Sequence, residues 1–319
     1  MPKKSRPRCG SLQFWPRKRA EKVLPSVNWP EVSKKNLEKG GLLGFIGYKV
    51  GMTSVYVKDN TEDSMTKGKK IIVPATIVEC PEMKIFSVRL YKNKKVVKDI
   101  IVSNEKELKS KLRLPKQIKK FEDEIKNIEF DDIRLIVYSN VKTTGIKKTP
   151  DLGELALAGT KEEKIAFVNE KLNKSISVKE VFDTGLLDVH ALTKGKGLQG
   201  PMKRFGISLK SHKSEKGRRR PGSLAPWNPS RVTFRTPMAG QLGLFTRVAY
   251  NNLILESGKI SEKDINKSSG FHKYGNIKTD YLILKGSVQG SRKRVLMLTP
   301  AIRPTRKTIK QKFEAIELR

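Results

Sequence analysis

GLLGFIGYKVGMTSVYV, residues 41–57, decides the fold class. Its apolar positions are held mostly by Ile, Val, Phe and Tyr, which favour a pleated strand, and glycines interrupt them. The stretch reads as strand, glycine turn, strand. Two further β-rich runs follow, IIVPATIVEC (71–80) and KIFSVRLY (84–91), around a Pro-Glu turn. Strand signals return at LLDVHALT (186–193), then at VTFRT, NNLILE, TDYLILKGSV and RVLMLT. The last two flank GSVQGSRKR, read as a hairpin loop loaded with cations. Short strands at this spacing predict an antiparallel sheet, and the strands of 41–91 are expected to pair with the later ones and close one barrel.

From about residue 99 the pattern changes. Ile118, Phe121, Ile125 and Ile128 recur at helical spacing, as do Ile165, Val168 and Leu172, with DIRLIVYS (132–139) between them as a buried strand. Residues 96–179 are therefore read as an α+β insertion in a barrel built from 41–95 and 180–319. Its helical stripes are read as core rather than as a binding groove.

With 319 residues the chain can form one large domain or two smaller ones with real cores. Lys and Arg number 67 against 32 Asp and Glu, a net charge of +35, far beyond what solubility requires. A polyanion is the expected partner, and nucleic acid fits best because phosphate neutralisation releases counterions. A membrane surface would call for basic amphipathic helices, whereas the basic regions here are rich in Gly and Pro. No apolar run reaches the roughly 18–20 residues of a membrane span. MPKKSRPRCG lacks an apolar core segment, so no secretory signal is expected. Cys9 and Cys80 are far apart and lack CxxC spacing, which fits a reducing compartment better than a disulfide or zinc scaffold.

The charge is uneven. Residues 1–40 hold 11 Lys/Arg and 3 Asp/Glu, residues 191–250 hold 13 and 1, and residues 271–319 hold 12 and 3. Residues 99–170 hold 14 of each, like an ordinary soluble domain. Residues 1–40 read as an extended basic arm, because prolines at 2, 7, 16, 25 and 30 forbid a long helix. Aromatics (Phe14, Trp15, Trp29) are interleaved with its cations, and the arm is expected to be ordered only by what it binds.

Catalytic constellations are missing. His190, His212 and His272 form no HxH or HxxxH pair, and neither GxSxG nor a GxxxxGK[ST] loop occurs. TKGKGLQG (193–200) has glycines but no strand–GxGxxG–helix context. His190 is read as a satisfied core or barrel-edge histidine, and the basic half has almost no carboxylates for acid–base work. No cofactor and no protein metal site are expected; any magnesium would belong to bound RNA.

The basic half holds a nucleic-acid toolkit instead. Lys194, Lys196, Lys203 and Arg204 flank Gly-Pro turns, Arg218, Arg219 and Arg220 form a cluster, and Arg231, Arg235 and Arg247 follow. Arginine forks onto phosphates or stacks on bases, and lysine supplies point charge. In GRRRPGSLAPWNPSRV (217–232), Trp227 stands in a Gly/Pro-broken loop with neither helical nor strand period. Trp227, Phe205 and Phe234 could each stack on an unpaired base, while Phe205 and Phe234 could equally pack beneath the loop. Such extensions suit entry into folded RNA better than a DNA groove, which helix-based readers enter with a helix.

Six motifs in order then resemble one family: RCGSLQFWPRKRA (8–20), GFIGYKVGMT (44–53), TKGKGLQGPMKRFG (193–206), GRRRPGSLAPWNPSRV (217–232), AGQLG (239–243) and RKRVLMLTPAIRP (292–304). Together they are similar to the large-subunit ribosomal protein L-three family, most closely its archaeal branch, with the weakest likeness across 95–180. The resemblance implies a mainly β protein: a closed antiparallel β-barrel of the translation-protein type with an α+β insertion, an N-terminal arm and a long irregular RNA-binding loop, here 193–250. It implies a structural constituent of the large subunit that acts early in assembly, organises rRNA and sends the loop with Trp227 toward the peptidyl transferase centre. It implies no enzyme activity. An RNA-modifying or processing enzyme and a non-ribosomal RNA chaperone are the alternatives. The implied partners are large-subunit rRNA and neighbouring ribosomal proteins in the cytoplasm, with no membrane, no DNA and no homo-oligomer.

The residues expected to meet rRNA are Arg6, Arg8, Trp15, Arg17, Lys18 and Arg19 in the arm, and Arg292, Lys293 and Arg294 near the C-terminus. In the loop they are Lys194, Lys196, Lys203, Arg204, Arg218, Arg219, Arg220, Trp227, Arg231, Arg235, Gln241 and Arg247. Three positions depart from the family pattern. Glu215 stands where eukaryotic members carry a histidine methylated in some, Val248 replaces a usual Thr, and Pro221 replaces a usually aliphatic residue.

Overall fold

A computed structural model of the chain describes residues 14–36, 40–118, 121–125, 128–213 and 216–319. Arg6, Arg8, Cys9 and Glu215 lie outside the described residues. Two compact units are present: Met1–Glu21 with Leu192–Thr246, and Lys22–Ala191 with Arg247–Arg319.

The second unit is mainly β. The opening stretch forms β1 (Gly41–Leu42) and one long strand, β2 (Phe45–Asp59). The expected glycine turn is absent: none of Gly44, Gly47 and Gly51 has the left-handed φ that a tight turn asks of glycine. The chain instead shifts register between Lys49 and Gly51, a bulge that bends the strand without ending it. Gly44 answers to packing, since a Cβ there would sit 2.8 Å from the Trp29 ring.

β3 (Lys70–Cys80) pairs with β2 along its length and with β12 (Asp280–Lys285) on its other side. Pro74, which has no N–H to give, falls one residue beyond the last β12 partner, Ala75 opposite Lys285. β8 (Leu186–Leu192), β11 (Thr246–Lys259), β13 (Val295–Pro300) and β14 (Phe313–Leu318) complete a seven-stranded sheet in the order β13-β8-β11-β12-β3-β2-β14. β13 also pairs with β2, matching Val295 to Tyr48 through Leu298 to Phe45. β12 and β13 therefore do not form the expected hairpin. Each has two other partners, and GSVQGSRKR crosses between them, held by Gln289 Nε2 donating to the carbonyls of Val189 and Arg247 at 2.8 and 2.7 Å.

A second sheet has the order β1-β7-β6-β4-β5, with β4 (Met83–Lys92), β5 (Lys95–Ile101), β6 (Asp132–Ser139) and β7 (Leu152–Ala158). The run 84–91, expected to pair with the first strands, instead lies between β5 and β6. Asn93 and Lys94, both at positive φ, close the two-residue β4–β5 turn, so the local hairpin decides the sheet to which β4 belongs. Val168 of the expected helical stripe is fully buried in α3 (Lys161–Lys171), which Thr160 and Glu163 start with a reciprocal capping box. Of the earlier stripe, Phe121 is buried in a short helix, α2 (Phe121–Ile125), while Ile118 is exposed.

Residues 22–36 do not extend as an arm. Pro30 occupies the first turn of α1 (Trp29–Lys35), where its missing N–H costs nothing. Trp29 and Val32 enter the same core as Phe45, Ile46, Leu155 and Leu296. Burying an indole removes roughly 150–250 Å² from water, an upper bound of about 4–6 kcal/mol. Several buried polar groups of this unit are paired: Tyr48 donates to Asp151 Oδ2 at 2.7 Å, and Glu79 accepts from the Lys278 and Thr279 amides at 2.8 and 3.1 Å. Cys80 is a buried free thiol whose pKa burial pushes up. No helix among the described residues is long and apolar enough to cross a membrane.

Candidate nucleic-acid interface

The first unit consists of the basic loop Leu192–Thr246 and the chain up to Glu21. It has little regular structure: β9 (Leu198–Gln199) pairs with β10 (Gly240–Gln241), and Pro201–Phe205 forms one helical turn. Glycines make this base possible. Gly243 is buried at φ +75°, where a Cβ would lie 2.0 Å from the Lys194 carbonyl oxygen. The close approach lets Leu242 donate to Gly197 O and Lys196 donate to Leu242 O, both at 2.9 Å.

Arg204 organises the unit. Its Nε donates to Gln241 O at 3.0 Å, Nη1 to Met238 O at 3.0 Å, and Nη2 to Arg17 O at 3.2 Å. Arg17 Nη1 returns a 2.7 Å bond to Arg204 O, and the Ala20 amide donates to Leu244 O at 2.9 Å. A guanidinium forking onto several carbonyls is a strong internal clip, and burial lowers its pKa without threatening its charge. The expectation for Arg17 and Arg204 was contact with RNA. The structure gives both an intramolecular task.

Aromatic residues surround this clip. The Trp15 ring lies 5.6 Å from Phe205, tilted by 33°, and 6.0 Å from Phe234, nearly edge-on at 76°. The Arg17 guanidinium sits 4.3 Å from the Phe205 centroid and 5.1 Å from that of Trp15. The contacts of Trp15 and Arg17 with Phe205 and Phe234 join segments far apart in the chain, and nothing in the local sequence announces them.

The other expected residues turn outward. Lys194, Lys196, Lys203, Arg218, Arg219, Arg220, Arg231 and Arg235 are exposed, and Trp227 is 97% exposed. Lys18 and Arg19 are exposed as well, with Lys18 paired to Glu21 at 3.3 Å. Arg218 Nε and the Lys210 carbonyl meet at 3.3 Å, while the Lys210 amide donates to Arg218 O at 3.1 Å, bracing one flank of the loop. Gln241 turns its side chain back onto the carbonyls of Leu242 and Gly243, at 3.2 and 3.1 Å. VTFRT is a turn and not a strand: Thr236 N donates to Thr233 O at 3.1 Å, and Val232 and Phe234 are exposed, so no apolar face drives pairing.

In the second unit, Arg292 and Lys293 are exposed, Arg294 is half-buried, and Arg247 offers its carbonyl to Gln289. The Lys293 amide donates to Lys49 O at 2.8 Å, and Lys49 N donates to Arg294 O at 3.0 Å, which fixes the cationic loop against β2. His190 is buried with Nε2 3.2 Å from Thr299 Oγ1; burial lowers its pKa, and Asp188 partly opposes the shift. A groove of about 810 Å³ beside β8, β11 and the helical turn Arg306–Ile309 is lined without a carboxylate, histidine or cysteine among the described residues. Among them, too, no group of three or more His, Cys, Asp or Glu could hold a metal ion.

The whole chain, residues 1–319, matches the family described as ribosomal protein L3. It is 40% identical to the large ribosomal subunit protein uL3 of Archaeoglobus fulgidus, over 94% of this chain and 92% of that one. Identity to the protein of the same name is 39% for Methanococcus vannielii, over 95% of this chain and 93% of that one. For Methanothermobacter thermautotrophicus it is 40%, over 95% and 94%.

Proposed function

Because the chain belongs to the ribosomal protein L3 family, we propose that it is a structural constituent of the large ribosomal subunit, works in the cytoplasm, and binds and organises large-subunit rRNA without being an enzyme. The observation that carries the reading is the outward display of Arg218–Arg220 and Trp227 from a unit whose inner aromatics and Arg204 are held by protein. Exposed cations meet phosphates, and their counterions are released. The prolines of the tip, at 221, 226 and 229, limit the entropy lost when it is ordered. The loop reaches inward toward the peptidyl transferase centre, and neighbouring ribosomal proteins cover part of the second unit.

The seven-stranded sheet is read as a closed barrel. The two-sided pairing of β13, with β8 and with β2, supports this. The α+β insertion is taken to begin near β4 rather than at residue 96, because β4 pairs with β5 and β6. Sedimentation of a native lysate through sucrose tests the function: the chain is expected to travel with large subunits, and a free or messenger-bound pool in its place contradicts the reading.

A further inference from the structure

The sequence leaves Phe205 and Phe234 equivalent, each free to stack on a base or to pack. The structure separates them. Phe205 is half-buried, with Trp15 at 5.6 Å and the guanidinium groups of Arg17 and Arg204 at 4.3 and 5.2 Å from its ring. Its partners are protein groups.

Phe234 is held but left open. Its ring meets Trp15 nearly edge-on, yet 68% of the residue remains exposed. The Arg235 guanidinium lies 5.6 Å from its centroid. The backbone beneath is fixed by the Thr233–Thr236 turn and by Thr236 Oγ1 donating to Leu224 O at 3.0 Å, which ties it to the loop bearing Trp227. A phenyl ring set in place with most of its surface in water is half of a stack.

We propose that Phe234, set by Trp15 and flanked by Arg235, is a stacking platform for one unpaired nucleobase of the large-subunit rRNA, an assignment that rests on the ribosomal reading above. Every base offers a π-face, and a neighbouring guanidinium suits both that face and its phosphate. An apolar side chain of a protein partner would cover Arg235 in a block that holds 13 Lys/Arg and a single acid across residues 191–250, an electrostatic setting suited to RNA. Pre-setting the ring lowers the entropy lost on stacking.

The test uses large subunits from cells whose only copy of the chain is unaltered, Phe234→Tyr or Phe234→Leu. Their rRNA is probed with dimethyl sulfate and a ribose-acylating reagent, and peptide–nucleotide links formed under ultraviolet light are mapped. Unaltered and Tyr particles are expected to protect the same nucleotide. Leu keeps the apolar contact with Trp15 but has no π-face, and should weaken that protection roughly fivefold or more. In unaltered particles the peptide containing Phe234 should link to that nucleotide. An unchanged footprint in the Leu particle with no such link overturns the platform, as does a link from Phe234 to a protein. If Leu particles fail to assemble, the link in unaltered and Tyr particles decides. Failure of the unaltered chain to sediment with large subunits would defeat the ribosomal reading; co-sedimentation with an unchanged Leu footprint defeats only the platform.

Discussion

Arg17 and Arg204 hold each other by the main chain: Arg17 Nη1 donates to Arg204 O at 2.7 Å, and Arg204 Nη2 donates to Arg17 O at 3.2 Å. The clip lies between two segments 187 positions apart and needs the forked donors of Arg204. Lysine cannot supply them. Arg204→Lys should release residues 14–20 from the loop at a cost of about 1–3 kcal/mol, or roughly 5- to 150-fold in the opened population. Hydrogen exchange at the Ala20 amide, which donates to Leu244 O, reports this directly. Unchanged protection in the variant would mean that the aromatic contacts alone hold the segment.

Elements that depend on local pattern were legible in the sequence. DIRLIVYS matches β6 from Asp132 to Ser139, because a run of β-branched residues between charged turns has few other places to go. Partner choice was not legible. KIFSVRLY looks like any other strand, and its sheet is decided by a two-residue turn that follows it. Trp29 resembles the other aromatics of a proline-broken arm, yet it lies against Gly44 in the core. At the interface the sequence exposed the composition, cations around Trp227, but not the division of labour. Which arginine clips protein and which faces outward depends on carbonyls contributed by Arg17, Met238 and Gln241.

Gly243 and Gly222 make a matched pair of tests. Gly243→Ala places a side chain at φ +75° and a Cβ against the Lys194 carbonyl, so it should cost about 1–3 kcal/mol for the backbone alone. The clash adds to this. Gly222 has open space around it and no positive φ, so Gly222→Ala should be neutral or slightly stabilising. Hydrogen exchange at the Lys196 and Leu242 amides compares the two, and equal protection in both variants would contradict the assignment of Gly243 as a steric hinge of the loop base.

Binding of the full chain to large-subunit rRNA should weaken steeply with salt. Each neutralised phosphate contributes about −0.7 to −0.9 to the log–log slope. Replacing Arg218, Arg219 and Arg220 together by Gln should make the slope shallower by about 2–3 if each side chain meets one phosphate. Filter binding over a salt series measures it. An unaltered slope would remove these three exposed residues from the interface.

His190 predicts an acid sensitivity. Burial lowers its pKa from the ordinary 6.5. The unfolded chain therefore binds the proton first as pH falls through 6.5, and stability declines from there until the folded-state pKa is passed. Asp188, which pulls the other way, limits the width of that window. His190→Gln keeps a polar partner for Thr299 without a titrating ring, so the variant's stability should be flatter below pH 6.5 than the unaltered chain's. Denaturant unfolding at pH values either side of 6.5 gives the comparison, and parallel profiles would refute the assignment.

Trp227 separates stability from function. At 97% exposure the indole contributes almost nothing to the fold of the isolated chain. Trp227→Ala should therefore change unfolding by no more than about 0.5 kcal/mol. The same residue stands at the end of a cationic, Gly/Pro-rich tip, and a large aromatic kept in water there has a use only when the loop meets its partner. In assembled subunits the Ala variant is expected to alter both transfer-RNA binding and sensitivity to drugs acting at the peptidyl transferase centre. Trp227→Phe, which retains a π-face, should recover part of each. Normal transfer-RNA binding and drug response in Ala particles of normal composition would show that the indole merely fills space among RNA segments.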